Sequence, residues 1–237
     1  ELMLLAAREQ GVPMLIGSSG DTGANIRVDM YVEMIKDLAE EHDLPPFKLA
    51  YFYSEVDKNH LLERMDEGIT IEGLDERESL SRESVEKTDR VVAVAGVDPF
   101  IQALDMGADV VIGGRSSDCA IFAAPAIREG FPPDLAYYLG KVLECASFCA
   151  EPYGAKESVI GTITHHDVKV TAMHPDQRCT VASVSAHAMY ERANPYFEYV
   201  AGGMLDMTNC HYEQYDEKTT RITGSKFIPI EGKVKVK

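Results

Sequence analysis

Four times in the first half of this chain, a short apolar run of strand type passes through small and acidic residues into a helix-like segment. The runs are Pro13–Gly17, Lys48–Tyr53, Val91–Ala95 and Asp109–Ile112. Helical patterns follow from about Ile26 to Glu41, from Asp57 to about Met65, from Asp98-Pro99, and from near Ser117. Strands alternating with helices of this length predict a parallel sheet with right-handed crossovers. In an open α/β sheet, ligands bind outside the carboxyl ends of the strands and at helix N-termini. The strand ends are therefore where a site is expected.

The character changes after Gly130. Asp134 to Ala150 reads as one long helix with Leu135, Leu139, Val142, Leu143 and Ala146 facing inward. Beyond Pro152 come alternating stretches at Ser158–Thr164, Val168–Ala172, Tyr212–Tyr215 and Thr220–Thr223, interrupted by a helix from about Val181 to Arg192. The expected fold class is α/β, an open and mostly parallel sheet with flanking helices followed by a β-rich, antiparallel second half. The expected domains are 1–150 and 151–237. The acidic stretch from Asp66 to Glu83 is expected to be a long loop or lid. The chain begins inside a helical pattern and ends inside the alternating Lys233–Lys237 pattern, which predicts an internal segment of a longer protein.

With 39 acidic against 23 basic residues the formal net charge is −16, and nowhere is there the basic footprint a nucleic-acid surface needs. No apolar run approaches the roughly 20 residues that span a bilayer, so no membrane partner is expected. The five cysteines are odd in number and form no C-x-x-C pair, which predicts reduced thiols in a cytoplasmic protein.

Several motifs carry possible chemistry. Gly17-Ser18-Ser19-Gly20-Asp21-Thr22-Gly23 is either an anion-holding turn or a tight βα turn that needs glycine. It is neither a P-loop nor a dinucleotide fingerprint. In Gly113-Gly114-Arg115-Ser116-Ser117-Asp118-Cys119, Arg115 suits a carboxylate or phosphate, or else pairs with Asp118 as a structural clamp. Ser117 or Asp118 is placed to cap the next helix, and Cys119 is either a thiolate in its first turn or a small buried residue. Asp57 and Asp98 are good helix caps, whereas Glu55 has no evident helical duty and is the better acid/base candidate. These carboxylates with Ser18 and Asp21 also offer oxygen ligands to Mg²⁺, although no spacing demands a metal. Lys141, with Glu144 or Cys145, either reaches a site or forms an exposed ion pair. Arg178 is a further anion-binding candidate, and His187 is either a buried hydrogen-bonded histidine or a general base. His165, His166 and His174 lack the partners zinc requires.

Taken together, Pro13–Asp21, Tyr53–Asp57, Ala108–Asp118, Gly140–Cys145, Arg178-Cys179-Thr180 and Gly202–Asp206 resemble the acyclic terpene utilisation (AtuA-like) family over nearly the whole chain. The resemblance implies breakdown of acyclic terpenes such as citronellol and geraniol through branched acyl-CoA thioesters. Acid/base groups and an anion clamp without a redox-cofactor fingerprint favour a lyase or hydratase acting on a small carboxylate or its acyl-CoA thioester. In this reading Arg115, with Ser18 and Ser19, holds the anion, Glu55 or Asp118 moves the proton, and Lys141 or His187 is the second acid/base. The alternatives are a non-catalytic ligand-binding or assembly subunit with a small partner chain or further copies of itself, and a hydrolase using Cys119 or Ser117.

Overall fold

The computed structural model describes residues 1–73, 77–153, 158–190 and 194–230. These fall into two compact units, one of 1–95 with 103–116 and one of 96–102 with 117–230.

The first unit is built on α1 (Leu2–Gln10), β1 (Met14–Ile16), α2 (Asn25–Glu41), β2 (Leu49–Phe52), β3 (Glu55–Val56), α3 (Lys58–Asp66), α4 (Arg82–Lys87) and β4 (Val91–Val92). The chain then runs through α5 (Asp98–Asp105), which starts in the other unit, to β5 (Val110–Gly113). A parallel sheet of order β1-β5-β2 puts β5 in the centre, with Val110 facing Met14 on one side and Leu49 on the other. In a parallel sheet the connecting helices cover the faces of the central strand, so it reads as an unbroken apolar run. Val110, Val111 and Ile112 are accordingly fully buried. The inward face of α2 is the one its periodicity marks: Val28, Val32 and Ile35 are buried against Met14, Val110, Ile112 and α1, with Tyr31 and Leu38 packed beside them. Each such side chain removed from water contributes roughly 1.5–3 kcal/mol.

The third strand-to-helix passage behaves differently from the other three. Val91-Val92 pairs antiparallel with Glu55-Val56, and Ala95 bridges in parallel to Ser116. The peptide of Ser54, just past the end of β2, accepts Ala93 N at 2.7 Å and so draws this run away from the sheet centre. An apolar run looks the same in either pairing. Part of the Asp66–Glu83 stretch is α4, capped by Ser81; residues 74–76 within it lie outside the described residues.

The second unit continues with α6 (Ala120–Arg128), α7 (Pro133–Leu143), a short 3₁₀ turn (Ala146–Cys149), β6 (Ala150–Glu151), β7 (Val159–Ile163), β8 (Val168–Ala172), β9 (Arg178–Cys179), α8 (Val181–Ala188), β10 (Phe197–Val200), β11 (Gly203–Asp206), β12 (His211–Gln214), β13 (Thr219–Thr223) and β14 (Lys226–Pro229). All its pairings are antiparallel: β12-β13-β8-β7, β10-β11-β14 and β6-β9. Helix α7 is buried from Leu135 through Val142. Leu139 and Leu143 meet Gly161 of β7, Tyr137 stacks on Phe227 of β14 at 4.6 Å, and the Tyr138 hydroxyl donates to that of Tyr212 at 3.0 Å. This helix is shorter than expected, because the chain turns out of helical geometry at Cys145. Cys149 Sγ then donates back to Val142 O at 3.4 Å. Helix α8 is opened by a capping box of Thr180 and Ser183 and ends at Ala188 rather than Arg192; residues 191–193 lie outside the described residues, as does the Lys233–Lys237 pattern. Among the described residues, no helix is long and apolar enough to cross a membrane.

Asp109 fastens three segments of the first unit. Its carboxylate accepts Lys48 N and Arg8 Nη1, each at 2.8 Å, which joins the starts of β2 and β5 to α1. The Lys48 amide first and the Arg8 guanidinium next hold its pKa below the usual carboxylate value against a burial penalty. A lowered folded-state pKa contributes stability above the ordinary carboxylate range that is lost as pH falls through the folded value. Asp109→Asn is expected to cost about 1 kcal/mol near neutral pH, since the group is a third exposed and screened. The difference from the parent should shrink in acid, measured by denaturant unfolding at several pH values; an unchanged difference would remove Asp109 as the ionised staple.

Candidate functional site

In the first unit the strand-end turn is held by its own hydrogen bonds. Ser18, Gly20, Asp21 and Gly23 all have left-handed backbones, with φ of 46°, 62°, 73° and 66°. Such a conformation is strained for Ser18 and Asp21 and persists only when its surroundings hold it. Ser18 N and Ser19 N donate to Gly114 O and Gly113 O, Gly23 N to Ser19 O, and Arg115 N to Gly23 O. The side chains do the same work: Ser19 Oγ, buried, donates to Gly113 O at 2.8 Å, and Ser18 Oγ donates to Ser116 O at 3.2 Å. Arg115 Nη1 donates to the Asp21 carbonyl at 3.1 Å. A Cβ on Gly23 would lie 2.1 Å from Arg115 N, so both its positive φ and this close approach require glycine. Ser18, Ser19, Asp21 and Arg115 are thus brought together, by contacts that shape the turn.

Glu55 has the helical duty that its sequence position concealed. Ala24, the N-cap of α2, offers no side-chain cap, and Glu55 Oε1 accepts Asn25 N at 2.8 Å in its place. Asn25 Oδ1 accepts Glu55 N in return, and Arg90 Nη1 donates to Glu55 at 2.9 Å. A carboxylate at a helix N-terminus is favoured by both the free amides and the dipole. Asp57 caps α3 as expected, accepting Asn59 N at 2.9 Å, while α5 begins at Asp98 itself rather than at Pro99.

The second unit gathers the groups with chemical reach. Helix α6 begins at Ala120 with Cys119 as N-cap and no side-chain cap, so neither Ser117 nor Asp118 caps it. Ser117 Oγ lies 3.2 Å from Cys119 Sγ instead. Cys119 is 2% exposed, and burial pushes its thiol up to about 12, which keeps it protonated at neutral pH: of the two sequence readings it is the small buried residue. Beside it runs α7. A Cβ on Gly140 would sit 2.5 Å from Cys119 O, so only glycine lets α7 come this close, and the next residue, Lys141, is carried in with it.

Lys141 is 5% exposed, so of the two sequence readings the exposed ion pair does not hold. It donates to Glu144 Oε1 one helical turn on and lies 3.6 Å from Glu198 Oε2 of β10. An ammonium this buried needs such partners, because an unpaired one would lose its proton rather than its water. Burial raises the Glu144 pKa above the usual carboxylate value; Lys141 pulls it down without cancelling this, and Glu198 and Asp118 push it further up. Asp118, Lys141, Glu144 and Glu198 are therefore one electrostatic cluster, which opens to solvent along Glu198, 27% exposed at its side chain. Glu198 escaped the sequence reading because β10 carries no clear alternation.

His187 and Arg178 lie elsewhere in the same unit. They line a cavity of about 770 Å³ with Phe148, Tyr153 and Tyr190. His187 is 3% exposed, the buried histidine of the two sequence readings in location, with Phe148 and Tyr190 against its ring. Among the described residues, no three His, Cys, Asp or Glu side chains are grouped to hold a metal ion.

A carboxyl whose pKa is raised on folding stabilises the protein below its unfolded pKa and loses that contribution as pH rises through the folded value. Glu144→Gln is therefore expected to flatten the decline of melting temperature with pH above the mid-4s. Thermal unfolding of both proteins between about pH 4 and 8 checks this, and parallel curves would show that Glu144 is not the buried acid.

No curated protein and no solved structure matches the chain. The family described as acyclic terpene utilisation family protein AtuA matches it over residues 3–237, which includes the Gly17–Gly23 turn, the Gly113–Cys119 turn and the Gly140–Cys145 segment. The chain belongs to the acyclic terpene utilisation (AtuA) family.

Proposed function

We propose that this protein is a cytoplasmic catabolic enzyme acting on a small carboxylated substrate or its acyl-CoA thioester by lyase- or hydratase-type acid–base chemistry, in the breakdown of acyclic terpenes or branched acids. The observation that carries it is the buried Lys141–Glu144–Glu198 cluster. Elimination or addition of water next to a carbonyl needs a base for the α-proton and a positive group where negative charge develops on the carbonyl oxygen. Glu144, with its pKa held above the usual carboxylate value by burial, is suited to take and return that proton. Lys141 supplies the positive charge and a donor, and Glu198 at the open side keeps the ammonium in place.

Membership in a terpene-utilisation family supports an acyclic, branched carbon skeleton as substrate. Five free cysteines support a reducing compartment. Arg115 is proposed as the anion-binding residue of the first unit, where its Nη1 bond to the Asp21 carbonyl fixes the guanidinium at the strand-end turn.

Hydration and dehydration of branched enoyl-CoA thioesters by the full-length protein is the direct test. Lys141→Met and Glu144→Gln are each expected to lower kcat at least about 100-fold, as for loss of a positioned acid or base. In the parent, the rising limb of the pH–kcat profile should report the raised Glu144 pKa. Folded variants with unchanged kcat, or a parent inactive on every such thioester and free acid, would overturn the proposal.

A further inference from the structure

The cavity beside α8 is a separate feature, and none of its lining residues belongs to the Lys141 cluster. Its volume of about 770 Å³ lies within the range of small-molecule sites. One wall is a group of rings around Phe148: Tyr153 stacks on it at 5.4 Å and 23°, Tyr190 lies at 5.3 Å, and His187 backs it at 5.8 Å. Phe148, Tyr153 and Tyr190 are 37%, 64% and 43% exposed. Ring faces of this size left in water are costly, and they prefer a π partner in offset or inclined contact to a plain hydrocarbon.

The polar edge is equally specific. Glu151 of β6 and Arg178 of β9 are directly opposed across the antiparallel pair and form an ion pair, Arg178 Nε to Glu151 Oε1 at 3.7 Å, too long for a hydrogen bond. Arg178 thus presents donors and Glu151 acceptors side by side. A simple anion would be attracted by one and repelled by the other. A ligand edge with an acceptor next to a donor satisfies both. The walls are pre-set, because Ser183 Oγ of α8 donates to Cys149 O at 2.6 Å and so ties α8 to the turn that bears Phe148.

We infer that this cavity binds a planar heteroaromatic ring with adjacent hydrogen-bond donors and acceptors on its edge, of nucleobase or pterin type. The ring stacks on Phe148 and Tyr153, and its edge meets Arg178 and Glu151. This goes beyond the acid–base chemistry proposed above and does not depend on it, since it is read by binding rather than by turnover.

The test is calorimetric titration of the full chain with adenosine, guanosine and pterin, which separate the possible sources of the ring, and with 2-naphthoate and decanoate as controls. At least one of the three heteroaromatics is expected to bind, with affinity lowered tenfold or more by Arg178→Gln, by Glu151→Gln and by Phe148→Leu. Arg178 is exposed and Glu151 half-exposed, so their variants should keep the parent's melting temperature, which is measured alongside. Lys141→Met should leave the affinity unchanged. Absence of binding by all three at millimolar concentration would overturn the inference. So would 2-naphthoate or decanoate binding as tightly as the best heteroaromatic, or binding indifferent to both Arg178→Gln and Glu151→Gln.

Discussion

An ammonium group taken out of water must be met by negative charge, and Lys141 is 5% exposed. Much of the second unit's local design follows from that requirement. Gly140 permits the contact between α7 and the start of α6 that buries the lysine, Glu144 meets it from the next turn of the same helix, and β10 brings Glu198 from the antiparallel sheet. The cost of the arrangement falls on Glu144, whose charge is disfavoured by the same burial. A buried ion pair is weak evidence for stability, since well-packed apolar residues often do as well.

Hydrogen-bond accounting separates the two clusters of candidate residues. At the strand ends of the first unit, the serine hydroxyls, the Glu55 carboxylate and Arg115 Nη1 all meet backbone groups of the turns and of α2. Buried peptide groups have to be satisfied, and a turn with four left-handed residues leaves several that no regular ladder can reach. Polar side chains there are first of all the ladder's substitute. In the second unit, Lys141 is met by the carboxylates of Glu144 and Glu198.

The three tyrosine and phenylalanine rings around the cavity beside α8 follow a third logic. Pairing of β6 with β9, the capping box that opens α8 and the bond from Ser183 to Cys149 bring residues 148–153, 178 and 183–190 to one place. None of these segments has a helical or strand period that would announce the others. Their convergence is a matter of long-range pairing.

Local pattern carried a good deal of this protein. The buried strand 110–113, the inward face of α2, the cap at Asp57 and the antiparallel second half were all legible, because burial imposes a period of two or 3.6 on whatever lines it. The Gly140–Cys145 segment could likewise be marked as unusual. What a period cannot encode is the partner. Val91-Val92 looked like a parallel strand and pairs antiparallel, Glu55 looked idle and caps a helix thirty residues away, and Lys141, open to two readings, is buried against Glu198. By itself the sequence determined which residues face inward and where helices and strands form, since those depend on neighbours in the chain. Only the tertiary structure decided which carboxylates became caps and which were buried beside a lysine, because a group's pKa and hydrogen bonds depend on what distant segments bring within a few ångströms of it.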